Sequence, residues 1–188
     1  MIERMRSDEF DAMFDIMSES FPADEFRPYA EQRALLDDPR YTVYVHHADS
    51  GVVDALLAVW HLEGFAFLEH FAVSPDARNC GLGTRLLEEL SLLTDGCICL
   101  EAELPDTALA ARRIEFYKRA GFTYHEYPYL QPPISKGKQP VPLRLMTKSI
   151  GGEPFEASLL KSILYRDVYR VDATFGMAST KNQEDEKQ

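Results

Sequence analysis

Apolar side chains along this chain switch between two periods, and the switches divide it into elements. After Ser7, a residue type suited to capping a helix, Phe10, Met13, Phe14 and Met17 recur at helical spacing and predict an amphipathic helix over 7–20. A second, shorter helix is expected from Tyr29 to Leu36, with the proline-bounded FPADEFRP joining the two. YTVYVHH, the turn ADSG, VVDALLAVWHLE and, after Gly64, the run from Phe65 to Val73 then read as three strands of an antiparallel meander. Past Ser74-Pro75 a glycine-containing loop gives way to Leu82, Leu86, Leu87, Leu90 and Leu93, the stripe of another helix.

CICLEAE is a short strand, and Ala108–Ala120 has helix-forming composition with Gly121 as its stop. FTYHEYPYL and VPLRLMTKSI are two more strands, separated by the loop QPPISKGKQP. This order of sheet, helix, strand, helix and strand is an α/β pattern. Beyond Gly151-Gly152, Leu159, Leu160, Ile163, Leu164 and Val168 mark a docked helix, and the polar residues after it lack apolar anchors. The expected organisation is one domain over 1–150, a helical extension over 151–175 and a mobile polar tail over 176–188.

Composition narrows the function classes. A chain of 188 residues with 45% hydrophobic content can bury the core of a single domain. No apolar run reaches the roughly 20 residues that span a bilayer, and MIERMRSDEF has neither an apolar signal region nor a cleavage site, so a cytoplasmic protein is expected, without a membrane partner. A net charge of −11, with no basic block to offset it, argues against nucleic acid and slightly favours a cationic substrate such as an amine. Three cysteines do not form a disulfide framework; Cys97 and Cys99 stand two apart on one strand and Cys80 lies in the glycine loop, so reduced thiols are expected.

The stretch HFAVSPDARNCGLGTRLLEEL carries the chemistry. A glycine turn between a strand and a helix points several backbone N–H groups one way, and the helix start adds about half a positive charge, which together make an anion cradle. Glycine at 81 and 83 lets an anion reach the main chain or permits positive φ, and Arg78 and Thr84 add donors. Neither common phosphate motif is present: the dinucleotide fingerprint wants glycine where Leu86 stands, and the nucleotide-triphosphate loop wants Gly-Lys-Ser/Thr where Gly83-Thr84-Arg85 stands.

The longer pattern V-x4-R-x2-G-x-G-x2-L-L, from Val73 through Arg78, Gly81, Gly83, Leu86 and Leu87, resembles the acetyl-CoA signature of the GCN5-related N-acetyltransferase (GNAT) superfamily. RRIEFYKRAGF, with Tyr117 thirty-nine positions after Arg78, resembles that family's F-Y-x-x-x-G-F helix. The resemblance covers about residues 1–150. It implies a mixed, mostly antiparallel central sheet flanked by helices, here with a C-terminal helical extension. It implies acetyl-CoA as co-substrate, with the pyrophosphate on the backbone of Arg78, Asn79, Cys80, Gly81, Leu82, Gly83 and Thr84. The pantetheine arm would lie along Phe71, Ala72 and Val73, in a wedge between that strand and CICLE. Arg112 and Arg113 would approach the adenosine phosphate, and no metal is expected.

Acetyl transfer needs a neutral amine, an exit for its proton, donors for an oxyanion and an acid for the leaving thiolate. By the resemblance, Tyr117 is the acid. On AFLEHFAV, strict alternation places Phe67, Glu69, Phe71 and Val73 on one face, with Glu69 the ionisable group of that row and His70 opposite. Glu69 is the expected base, Glu101 its rival on the facing strand with Glu103 less well placed, and His125 a further group that could face the substrate. The asparagine that often follows the second cleft strand in this superfamily is replaced by LPDT, leaving Asp106 or Thr107 for that place.

Specificity should come from the loops, with Glu25, Arg27, Tyr129 and Gln131 as acceptor contacts and Tyr127 beside them. The reading is direct acetyl transfer to the primary amine of a small molecule. A peptide or protein acceptor, and a non-catalytic acyl-CoA-binding sensor, stay open beside it. So does the C-terminal helix, which either caps its own domain or pairs two copies as a homodimer.

Overall fold

The computed structural model describes residues 1–151, 156–172 and 174–176. The expected mobile tail lies outside these residues apart from Gly176. The fold is the expected mixed sheet flanked by helices. Its strands are β1 (Glu3–Arg4), β2 (Tyr41–His47), β3 (Val53–Leu62), β4 (Phe65–Val73), β5 (Gly96–Glu103), β6 (Thr123–Tyr124), β7 (Tyr129–Gln131) and β8 (Val141–Ile150). The helices are α1 (Phe10–Ser20), α2 (Tyr29–Ala34), α3 (Leu82–Leu92), α4 (Ala108–Arg119) and α5 (Ala157–Leu164), the last running into a π-turn at Tyr165–Tyr169.

Strand order is β1-β2-β3-β4-β5-β8-β6, with β7 also on β8. Only the β4–β5 pair is parallel; the other pairs are antiparallel. The segment read as one strand, FTYHEYPYL, pairs with β8 in two short pieces offset from each other, because Pro128 cannot donate to a ladder.

Each sheet face buries its own core. On one face α1 and α5 cover Val43, Leu56, Trp60, Phe67 and Cys99; on the other, α3 and α4 cover Leu57, Val59, Leu68, Ile98 and Leu100. The leucine stripe of α3 buries Leu82, Leu86, Leu87 and Leu90 as its spacing predicts, but Leu93, expected as its last member, follows the helix end and is exposed. Leu160 and Leu164 of α5 are fully buried against the chain's own sheet. Cys80, Cys97 and Cys99 are free thiols, and no helix of the described residues is long and apolar enough to cross a membrane.

One contact fixes where the parallel pair begins. Gly96 starts β5 at φ +84°, and a Cβ there would stand 2.5 Å from the carbonyl oxygen of Gly64 in the β3–β4 turn. An L side chain would meet both the backbone strain of positive φ and that clash. Gly96→Ala is therefore expected to cost about 2–4 kcal/mol, read as a lower urea-unfolding midpoint. A midpoint equal to wild type would show that the turn yields freely.

Candidate active site

The site begins with a register fault. Ala58 faces His70 across the β3–β4 ladder and Val59 faces Leu68, so Glu69 has no residue opposite it and forms a β-bulge. The bulge reverses the alternation of β4. Phe65 and Phe67 join the α1 face and Ala66 and Leu68 the α3 face, but beyond Glu69 it is Ala72 that joins the α1 face while Phe71 and Val73 turn toward α3. The expected single row of Phe67, Glu69, Phe71 and Val73 does not form, and His70 lies beside Glu69 rather than opposite it. His70 packs edge-on against Phe21, bonds the Glu25 carbonyl through Nε2 at 2.8 Å and brings Nδ1 within 3.6 Å of Glu69.

At the same level β4 and β5 part. Their ladder runs from Phe65–Cys97 to Leu68–Leu100 and stops, although both strands continue to Val73 and Glu103. A cleft of about 670 Å³ occupies the fork, lined by Glu69–Val73, Glu101–Glu103, the start of α3 and the inner side of α4. The main chain of Phe71, Ala72 and Val73 thus has a ladder partner on the β3 side only, so an extended amide-bearing arm can take the missing strand's place.

One side of the cleft suits a phosphorylated arm. Asn79 and Gly81 both have positive φ, a conformation asparagine tolerates and glycine favours, and they turn the chain into α3. Gly81 is the N-cap and no side chain caps the helix, so the first-turn N–H groups of Leu82, Gly83 and Thr84 have no intrahelical acceptor. The two glycines serve different needs. A Cβ at Gly81 would meet open space, so positive φ is what the residue supplies, whereas at Gly83 it would stand 3.2 Å from the Phe116 ring, so that glycine lets α3 approach α4. Arg78, Arg112, Arg113 and Arg119 line the same side within a strongly acidic chain. Arg78 also donates through Nε to the Val73 carbonyl at 2.8 Å, Arg112 reaches Asn79 at 3.4 Å, and Arg113 pairs with Glu103 at 2.7 Å. Cys80 is exposed beside the cleft, its thiol on the Ala77 carbonyl. These donors fit the anionic end of coenzyme A.

The two candidate carboxylates stand on the other side and differ sharply. The Glu69 side chain is 1% exposed and pairs with the buried Arg27 at 2.9 Å. Burial alone would raise its pKa, but the Arg27 guanidinium and His70 outweigh burial and hold it near 2. A carboxylate held that low is a weak proton acceptor, and Arg27 stands beside it as its counter-ion. Glu101 is pushed up to about 8 by burial, reinforced by the charges of Glu69 and Glu25 and opposed by hydrogen bonds from Tyr129 and Tyr169. That value lies in the range useful to a general base near neutrality.

Tyr129 and Gln131, expected to contact an acceptor, join the hydrogen-bond cluster around Glu101, and Gln131 also lines the cleft. Tyr129 donates its hydroxyl to Glu101 Oε1, and Gln131 donates to the Tyr169 hydroxyl at 3.1 Å. Glu25 lines the cleft with its pKa raised by burial and by Glu103. Tyr117 also lines it, on the α3–α4 side, its hydroxyl without a protein partner among the described residues and its pKa raised by burial to about 12. His125 bonds Thr147 at 2.7 Å and does not line the cleft, Tyr127 lies outside it, and Thr107 is used as the cap of α4. Ser20, Phe21, Ala77, Leu109, Arg119 and Leu143 also line the cleft, and the sequence reading singled out none of them. Among the described residues no cluster of ligating side chains could hold a metal.

The Arg27–Glu69 pair gives the site a measurable dependence. Arg27→Met leaves a buried carboxylate without a counter-ion and is expected to cost about 3–5 kcal/mol in urea unfolding at pH 7, whereas Arg27→Met with Glu69→Leu should recover most of the loss. Equal losses in both variants would show that the pair's charge is not what binds the two elements.

Comparison with known proteins agrees with this geometry. The family model for the GNAT acetyltransferase domain matches residues 39–124. A Bacillus subtilis (strain 168) protein named as acetyltransferase YjbC is 33% identical over 113 residues, covering 59% of this chain; the match spans 56% of that relative's length. A solved structure from Bacteroides thetaiotaomicron, described as a GNAT-family acetyltransferase, is 31% identical with a TM-score of 0.80, covering 92% of this chain and 99% of its own. An aminoglycoside 6'-N-acetyltransferase solved with coenzyme A shares the fold, with a TM-score of 0.59 at 18% identity over 82% of this chain and 99% of its own. A cleft opened between two parallel strands, with an anion cradle on one side and buried carboxylates on the other, thus sits in a chain that belongs to the GNAT acetyltransferase family.

Proposed function

We propose that this protein transfers the acetyl group of acetyl-CoA directly to the primary amine of a small molecule, with Glu101 as proton acceptor and Tyr117 as donor to the departing sulfur. The observation that carries this reading is the division of roles across the fork. The anion cradle and Tyr117 lie on the α3–α4 side, and Glu101 points to the α1–α5 side, as Cys97 and Cys99, four and two residues before it, do. Acetyl-CoA supplies an activated thioester at that fork. The chain's residues hold it by the backbone of Gly81–Thr84 and the exposed arginines, and leave a passage from the α1 side for the nucleophile.

An alkylammonium has a pKa near 10 and attacks only after losing a proton. Glu101, at about 8, is partly ionised at neutral pH and basic enough to take that proton. Tyr117, at about 12, stays protonated throughout the physiological range and serves as a hydrogen-bond donor to the thiolate rather than a readily ionised acid. No thiol lines the cleft, which supports direct transfer without an acylated cysteine.

A small acceptor is favoured by what covers the α1 side. In the loop 132–140, Ser135 donates to Glu31 at 2.7 Å, Lys138 to the Ala23 carbonyl and the Gln139 N–H to Asp24 at 3.2 Å. These bonds tie the β7–β8 loop to the α1–α2 connection, an arrangement that favours a compact acceptor over an extended peptide.

Calorimetry with acetyl-CoA is the first test: wild type should bind, and Gly81→Glu, which places a side chain and a negative charge at the cradle, should lose at least tenfold in affinity. No binding by wild type would end the transferase reading. In an amine-acceptor assay, Tyr117→Phe should lower kcat about ten- to a hundredfold with little change in coenzyme affinity. Glu101→Gln should remove the acidic limb, centred near pH 8, from the kcat/KM profile; a limb that survives would send the base role elsewhere.

A further inference from the structure

The C-terminal segment reaches the reaction site. Tyr169 lies 68 residues after Glu101, outside the region matched by the family model, yet its hydroxyl is 2.9 Å from Glu101 Oε1 and 2.8 Å from Oε2. It gets there through an irregularity. After α5 the helix widens into a π-turn over Tyr165–Tyr169, and Arg170 ends it in the left-handed region at φ 55°. The Val171 N–H closes the turn on the Tyr165 carbonyl. Such widened turns shift the side chains beyond them out of helical register, and here the shift accompanies Tyr169 meeting a carboxylate.

The donor directions of the network are fixed by its chemistry. An ionised Glu101 only accepts, so the Tyr169 hydroxyl donates to it; the same oxygen then accepts from Gln131 Nε2, which sets that amide's orientation. Tyr165 locks the segment in place by donating to the Leu130 carbonyl, next to Tyr129 and Gln131. The other groups facing Glu101 are Tyr129 from β7, Glu69 with its Arg27 partner, Glu25 from the α1–α2 connection, Cys99 from its own strand and the Tyr165 phenol. Arg27, the cation of this group, is paired with Glu69, and among the described residues Tyr129 and Tyr169 donate hydrogen bonds to Glu101.

We propose that Tyr169 is a positioning residue for the transfer reaction: the C-terminal segment is an active-site element whose phenol, oriented by Gln131, fixes the rotamer of Glu101 and stabilises its ionised form. The inference rests on the reading of Glu101 as proton acceptor. A phenol donating to a carboxylate favours the charged form, so its loss raises the pKa of Glu101. Activity that depends on ionised Glu101 then appears at higher pH.

The test is the pH dependence of kcat/KM for wild type, Tyr169→Phe, Tyr129→Phe and Glu101→Gln, with acetyl-CoA affinity and the thermal midpoint measured alongside. Tyr169→Phe removes one hydroxyl and keeps the ring. Its acidic limb should move up by about one pH unit, with kcat/KM about tenfold lower at pH 7, recovery toward wild type at high pH and unchanged coenzyme affinity. Gln131→Leu, which leaves the phenol without its orienting donor, should shift the limb the same way by less. A limb unmoved in Tyr169→Phe, whatever the thermal midpoint does, would overturn the positioning role. If Glu101→Gln keeps the wild-type limb, the base assignment itself fails. If Glu101→Gln loses the limb but Tyr169→Phe does not shift it, only the present inference fails.

Discussion

Two parallel strands that share a ladder for four residues and then separate set the terms for everything else in this molecule. Parallel strands do not part without cause, because each lost pairing leaves main-chain donors and acceptors that must find other partners. Here the parting coincides with the bulge at Glu69, which changes the twist of β4, and with Glu101, which carries a buried carboxylate on the opposing strand. Bulges increase local twist and bend the bulged strand, so the fault in the β3–β4 register and the opening toward β5 are two views of one deformation. The Arg27–Glu69 pair holds that deformation from the α1 side and the Phe71–Phe116 stack from the other.

The two acids placed at the fork show how environment divides identical chemistry. Both are buried, so desolvation raises both; what separates them is a guanidinium against Glu69 and only neutral phenols against Glu101. The difference from about 2 to about 8 follows from the charges around each: Arg27 and His70 lower Glu69, whereas Glu69 and Glu25 add to burial in raising Glu101. The pair therefore sorts into a permanently charged structural anion and a titrating group, and the charge of the first helps to raise the second.

Much of this is legible in the sequence. Local patterns marked β4 at Phe65–Val73 and β8 at Val141–Ile150, the buried face of α3 and the glycine cradle, because strand alternation, leucine spacing and turn chemistry are short-range properties. Two things were not legible. Alternation assumes an unbroken ladder, and the bulge at Glu69 is set by the partner strand, so the facing of Glu69, His70, Phe71 and Val73 could not be read from β4 itself. The support of Glu101 joins residues 129, 131 and 169 across the sheet, and the π-turn that delivers Tyr169 interrupts the periodicity by which that segment was read as a helix. FTYHEYPYL, read as one strand, splits into two short pairings around Pro128, a residue that cannot donate to a ladder.

The separation of the site into two faces also bears on how such a protein changes over generations. The cradle is built from one contiguous stretch, residues 78–84, plus α4, while the opposite wall is assembled from the α1–α2 connection, β7 and the C-terminal segment. Substitutions in one set have few contacts through which to disturb the other, apart from the Arg113–Glu103 pair at the rim. Changes in that wall can therefore leave residues 78–84 untouched, whereas the buried Tyr165, Val168 and Tyr169 also belong to the core on that face, so a loss there would reach the sheet as well as the carboxylate.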